Sequence, residues 1–201
     1  TSAGQRFTPP IRQAAVLAVV ATAALGGWIF HNTVVLNDYK TSDDRETEQA
    51  DYERKYREFL EKPLPDVAEL SIEVDLVPEE RRLESRGRAV FVNDTTGPIG
   101  EVPLTLPTTL RINTLTLQGA SQIFADEDLG FYRYAFGEPL APGERSEMSW
   151  DLTWKHQGFE NSNSSTRLVH NGTFVNNTEI MPLPGYDRGR ELQDNNLRRE
   201  H

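Results

Sequence analysis

Three patterns of apolar and polar residues succeed one another along this chain. From Ala14 to Phe30 the sequence AAVLAVVATAALGGWIF carries no charge and one hydroxyl, Thr22. From Thr41 to Lys62 it is dense in charge, free of Gly and Pro, and has a sparse apolar stripe at Tyr52, Tyr56, Phe59 and Leu60. Beyond Pro63 and Pro65 the period shortens to two, as in Leu70-Ser71-Ile72-Glu73-Val74-Asp75-Leu76. The first pattern is that of a membrane-spanning helix, the second of a solvated helix with one packing face, and the third of half-buried β-strands.

The first segment, taken from Ala14 to Leu36, reaches roughly 35 Å as a helix, enough for a hydrocarbon core of about 30 Å. Trp28 at its distal end suits the membrane interface, and His31, Asn32 and Thr33 suit the headgroup zone. A buried core helix and a cleavable signal peptide with an Ala21-Thr22-Ala23 site are the competing explanations. The polar neighbouring sequence provides no core for a helix that is apolar on every face. A signal peptide does not normally remain apolar through Leu25, Trp28, Ile29 and Phe30 after its cleavage site. Arg6 and Arg12 are the only charges before the run, whereas Asp38, Asp43 and Asp44 crowd its far side. The basic flank places residues 1–13 in the cytoplasm, the span at 14–36 and the remainder outside.

The second segment opens on Thr41-x-x-Asp44, a capping box, with acidic residues in its early turns and Lys55, Arg57 and Lys62 in its late ones, as the helix dipole favours. Residues 37–65 are thus a juxtamembrane helix and linker. The helix either packs on its own domain or serves as a stalk or docking element, and its short stripe favours packing. Strands are expected at 70–76, 83–92, 102–106, 110–117, 131–136 and 148–154, separated by turns such as Asn93 to Pro98 and Pro142-Gly143. Residues 66–186 therefore form a mainly β domain, an antiparallel sandwich or curved saddle-like sheet, with Phe91, Phe131, Tyr134, Trp150 and Trp154 in or beside its core.

Composition removes several classes of function. With 21 Lys and Arg against 31 Asp and Glu the net charge is −10, and no basic cluster offers a phosphate surface, so nucleic acid is not an expected partner. Setting Arg6 and Arg12 aside leaves 19 basic residues and a charge of −12 on the exported part. The absence of cysteine excludes disulfides, thiolate zinc ligands and a thiol nucleophile. No His-Glu-x-x-His, Gly-x-Ser-x-Gly or phosphate-binding glycine loop is present. Of the four histidines, His31, His156, His170 and His201, the middle two are weak metal-ligand candidates. Glu79-Glu80 and Asp126 to Asp128 fall in turn contexts and are expected to be solvated. Asn93, Asn163, Asn171 and Asn176 stand in glycosylation sequons. Glu160 to Thr166 is a polar loop, and Leu168 to Val175 is either a hairpin on Asn171-Gly172 or one strand with a glycine bulge.

The order of a membrane span, Asn32-Thr33-Val34-Val35-Leu36-Asn37, a charged helix, Pro63 to Pro65, Pro78-Glu79-Glu80-Arg81-Arg82-Leu83, Asn171-Gly172-Thr173-Phe174 and Leu183-Pro184-Gly185-Tyr186-Asp187 with Glu191-Leu192 resembles bacterial ABC-2-type permeases fused to a periplasmic M1-family aminopeptidase. The resemblance extends over nearly the whole chain. It implies a segment running from the last permease helix through the saddle-like N-terminal β domain of the peptidase part, with residues 187–201 starting a helix, capped by Asp187, that leads to a further domain. It implies a location in the bacterial inner membrane with the β domain in the periplasm. The implied partners are the bilayer, the peptidase and transporter domains of the parent chain, and an ATP-binding cassette subunit. M1 enzymes hold zinc through His-Glu-x-x-His and a downstream Glu and grip the substrate amino terminus with a Gly-x-Met-x-Asn loop. Neither is in this sequence, so no catalytic, cofactor or metal residue transfers, and zinc is expected only in the missing catalytic domain. Gly185-Tyr186-Asp187 departs from the family's acidic-Pro pattern at that junction. A second class of function is a self-contained single-pass β-sandwich module that binds a protein or glycan through the loop at Glu160 to Thr166.

Overall fold

A computed structural model describes residues 9–36, 40–155, 159, 168–169, 172–194 and 197–200. They belong to two compact units, one containing the first helix and Phe159, the other the remaining elements.

In the first unit, helix α1 runs from Pro9 to Phe30 and continues as a π-helical turn over His31–Val35. It is long and apolar enough to cross a membrane, and none of its residues is buried by the protein. Proline at its start leaves no intrahelical hydrogen bond unmade, because the first-turn N–H groups have no partner there in any case. The polar side chains at its end fold back on the helix: Asn32 Nδ2 donates to the Trp28 carbonyl and Thr33 Oγ1 to the Ile29 carbonyl, each at 2.8 Å.

In the second unit, α2 (Ser42–Tyr56) begins with the expected box: Asp44 N–H donates to Thr41 Oγ1 at 3.1 Å and Thr41 N–H to Asp44 Oδ2 at 2.8 Å. The strands that follow are β1 (Asp66–Val77), β2 (Arg82–Val92), β3 (Ile99–Thr105), β4 (Arg111–Leu117), β5 (Ala120–Asp126), β6 (Phe131–Leu140), β7 (Arg145–Lys155), β8 (Leu168–Val169), β9 (Gly172–Thr173) and β10 (Leu183–Pro184), and α3 (Leu197–Glu200) comes last. One antiparallel sheet has the order β1-β2-β7-β4 and a second β10-β3-β6-β5, with β8 and β9 as a separate pair. The fold is mainly β, as the period-two pattern requires. The chain passes from the first sheet to the second between β2 and β3 and again at Gln118-Gly119, where Gly119 takes a φ of +76°.

The core lies between the two sheets. Ala89, Phe91, Met148, Trp150 and Leu152 from one meet Val102, Leu104, Tyr132, Tyr134 and Leu140 from the other, all buried. Strand β5 is absent from the pattern-based expectation. Its sequence ASQIFAD puts Ile123 and Phe124 side by side instead of alternating, and its register on β6 slips between Gln122 and Phe124. It is an edge strand with mostly exposed side chains, so little burial disciplines its pattern. Gly172 lies in β9, paired with Val169, so the two strands form a hairpin, and the residues joining them are outside the described ones.

Candidate functional site

Two features of the second unit bear on function: the seat of α2 with the segment at Tyr186, and the uncovered side of β1. The stripe read from the sequence packs α2 and the turn after it against the outer face of the β6 sheet. Tyr52, Tyr56 and Phe59 are buried with Leu129 and Phe131, and Tyr186 closes the cluster. Tyr56 stacks on Phe131 with centroids 4.0 Å apart, and Tyr52 stacks on Tyr186 at 4.9 Å. The Arg133 guanidinium lies 5.2 Å from the Phe59 ring while its Nε and Nη2 donate to the two oxygens of Glu101, the latter at 2.9 Å, and Arg190 sits 4.5 Å over Tyr52.

The polar atoms in this cluster are matched. Thr105 Oγ1 donates to the Gly185 carbonyl at 2.8 Å, so the Tyr52 hydroxyl, 3.2 Å away, donates to Thr105 and is left to accept the Asp187 N–H at 2.9 Å. Tyr56 donates to Asp126 Oδ2 at 2.5 Å, and Asp126 Oδ1 accepts the Leu129 N–H at 3.0 Å. Burial pushes Asp126 up, but the bonds from Tyr56 and Leu129 and the Lys55 charge outweigh it and hold the carboxyl below its usual value. Burial first, and then the Asp126 carboxylate, push the Tyr56 phenol up. Asp126 is thus a partner of α2 and not the solvated turn residue expected. Nothing in the local sequence signals this, because Tyr56 and Asp126 are distant along the chain.

The other sequence candidates are placed as follows. Asn93 is fully buried, and its amide donates to the Gly97 and Leu140 carbonyls at 2.9 and 2.7 Å while its oxygen accepts from Thr95 N–H at 3.0 Å. It is a turn-closing residue and offers no free amide as a sequon. Asn176 is exposed and opens a short 3-10 turn with Glu179; Asn163 and Asn171 lie outside the described residues. His31 is in the π-helical turn, and His156, His170, His201 and the Glu160 to Thr166 loop also lie outside the described residues. Among the described residues no group of three or more His, Asp or Glu is positioned to hold a metal. Glu80 pairs with Arg82 at 3.1 Å. Asp187 caps a 3-10 turn, Arg188–Arg190, by accepting the Gly189 N–H at 2.8 Å, and the chain is extended at Glu191 before α3.

The second feature is on β1. Leu76, Val74, Ile72 and Leu70 stand directly opposite Leu83, Ser85, Gly87 and Ala89 of β2, so they share the core-facing side of the sheet. Leu83, Ser85 and Ala89 are buried, yet Leu70, Val74 and Leu76 are 44%, 38% and 46% exposed. The second sheet covers β4 and the Ala89 and Trp150 stretches of β2 and β7, and Leu168 and Ile180 cover Leu83, but most of the β1 row is left open, while the opposite side of β1 carries Ser71, Glu73 and Asp75.

No family model and no curated protein matches this chain. Among solved structures it is similar to the M1 zinc metallopeptidase of Deinococcus radiodurans, with 16% identity over 48% of this chain and 21% of that one and a TM-score of 0.38. A mutant of that enzyme bound to a Tyr-Ser-Ala substrate matches with 15% identity over 60% of this chain and 30% of that one, again at 0.38. A two-domain M1 zinc metallopeptidase mutant bound to L-arginine matches with 15% identity over 60% of this chain and 31% of that one, with a TM-score of 0.38. The chain therefore spans less than a third of the length of these structures. At that TM-score the likeness assigns this chain no activity.

Proposed function

We propose that this chain is the noncatalytic, extracytoplasmic β domain of a membrane-anchored, M1-like zinc aminopeptidase fused to an ABC transporter permease, and that it covers one side of the peptidase cleft and links it to the membrane. The observation that carries this is the open apolar row of β1. A self-contained sandwich gains by burying core-side leucines and valines, at about 25 cal/mol per Å² of apolar area. Leu70, Val74 and Leu76 suit a domain whose core side is completed by a neighbour. The apolar α1, with acidic residues crowding its distal flank and basic ones before it, supports a periplasmic location in the inner membrane. The sequence resemblance supplies the identity of the neighbour.

In this role the chain's own residues do no chemistry. Zinc would be held by the partner domain and would there supply an activated water for peptide hydrolysis. Zinc analysis and aminoacyl-anilide turnover on the full-length protein provide the test. About one zinc per chain and aminopeptidase turnover, both absent from the isolated segment, are the expected result. A full-length protein without a zinc motif, or hydrolysis by this segment alone, overturns it.

A further inference from the structure

Phe159 is the one large apolar residue in the stretch from Gln157 to Thr166 (QGFENSNSST), which contains neither Lys nor Arg. It belongs with α1 to one compact unit. Its ring meets Trp28 edge-on, with centroids 4.9 Å apart and an interplanar angle of 89°, and its backbone N–H donates to the Asn32 carbonyl at 3.1 Å. The two rings are held at the distal end of the apolar run, where Ile29 and Phe30 give way to His31, Asn32 and Thr33. Even in contact they remain open: Trp28 is 57% and Phe159 36% exposed, and Ile29 and Phe30 beside them are at least half exposed.

We propose that Phe159 is a second membrane-contacting residue, set beside Trp28 in the interfacial zone at the distal end of α1, so that this one residue as well as the helix engages the bilayer. This rests on α1 being a membrane span. Aromatic rings partition to the interface because an apolar body there leaves water while polar neighbours stay hydrated. The exposed surface of the pair is continuous with the lipid-facing surface of α1, which identifies the occupant as the bilayer and not a protein groove. Phe159 is apolar and has no Lys or Arg within three residues on either side, the nearest being Lys155 and Arg167, so a zwitterionic phosphatidylcholine bilayer is the probe for this contact.

The cysteine-free sequence makes the test direct. Single cysteines are introduced as Leu25→Cys, Phe159→Cys and Glu138→Cys, spin-labelled, and examined in phosphatidylcholine nanodiscs for collision with oxygen and with a water-soluble nickel complex. The expected order of oxygen preference is 25 above 159 and 159 severalfold above 138. A label at 159 as nickel-accessible as that at 138, with 25 in lipid, overturns the proposal and leaves the span intact. Nickel access at 25 overturns the span itself. Because Phe159→Cys removes one ring of the pair, Phe159→Trp in a Trp28→Phe background provides a second measurement: relative to Trp28→Phe alone, brominated phosphatidylcholine quenches the added indole if the site is interfacial, and leaves its emission unchanged if the site is aqueous.

Discussion

Trp150 lies against Gly87 on the neighbouring strand so closely that a Cβ at 87 would fall 2.1 Å from the indole Cζ2. Gly87 pairs with Trp150 across β2 and β7 and with Ile72 across β1 and β2. The indole Nε1 donates to Ser85 Oγ at 3.2 Å, so the ring is fixed along β2 as well. A missing side chain in the middle of a strand is here the space in which the largest core residue lies.

Gly87→Ala is therefore expected to destabilise the β domain by about 1–3 kcal/mol through overpacking. Thermal unfolding monitored by tryptophan fluorescence checks this. In Trp150→Phe the same alanine is expected to cost less, because the two sites share one space and their effects do not add.

Tyr52→Phe removes the hydroxyl that joins α2 to Thr105 and to the Asp187 N–H, and a loss of about 1–2 kcal/mol follows for a buried pair left partly unsatisfied. Tyr52→Ala also removes the ring stacked on Tyr186 and is expected to cost about 3–5 kcal/mol. Denaturant unfolding curves and amide exchange over 42–59 and 183–190 measure both. A stalk helix free of the domain would show neither effect.

Stability is expected to fall at both ends of the pH scale. Asp126 and Glu101 have depressed values, the latter through the hydrogen bond from Arg133. Their contribution is complete above the unfolded carboxylate value near 4 and is lost as pH falls through the lower folded value. Burial raises Tyr52, Tyr56, Tyr132, Tyr134 and Tyr186. Their contribution is complete below about pH 10 and is lost as pH rises toward the folded values. Tyrosinate absorbance at 295 nm should therefore rise together with unfolding, later than in a tyrosine model peptide.

Asn93→Ala leaves the Gly97 and Leu140 carbonyls and the Thr95 N–H without their partner and is expected to cost about 2–3 kcal/mol. Chemical denaturation checks the cost. In a glycosylating host, peptide mapping of the folded domain should find Asn93 unmodified.

Leu25→Arg places a charge in the middle of the apolar run, with an expected insertion penalty of about 2.5–3.5 kcal/mol. Alkaline carbonate extraction of membranes should retain the unaltered chain and release a larger share of the variant. Equal retention would count against α1 as the anchor.

Periodicity and end chemistry are local properties, and they alone determined much of this protein. The uncharged run at Ala14 to Phe30 dictated a long helix, Thr41 with Asp44 dictated where α2 begins, and alternation at Leu70 to Leu76, Leu83 to Val92 and Met148 to Trp154 dictated strands, because side chains on a helix or strand repeat with the geometry of that element alone. Which surfaces those elements share depends on chain segments far apart, and only the tertiary structure decided it. It turned Asp126 from a turn residue into the partner of Tyr56 and Asn93 from a sequon into a buried knot. It also left Leu70, Val74 and Leu76 open on the core side of β1, where strand alternation alone would bury them. Alternation specifies the side of a sheet on which a residue lies, but burial requires a second sheet to reach it, and that depends on how far the layers overlap.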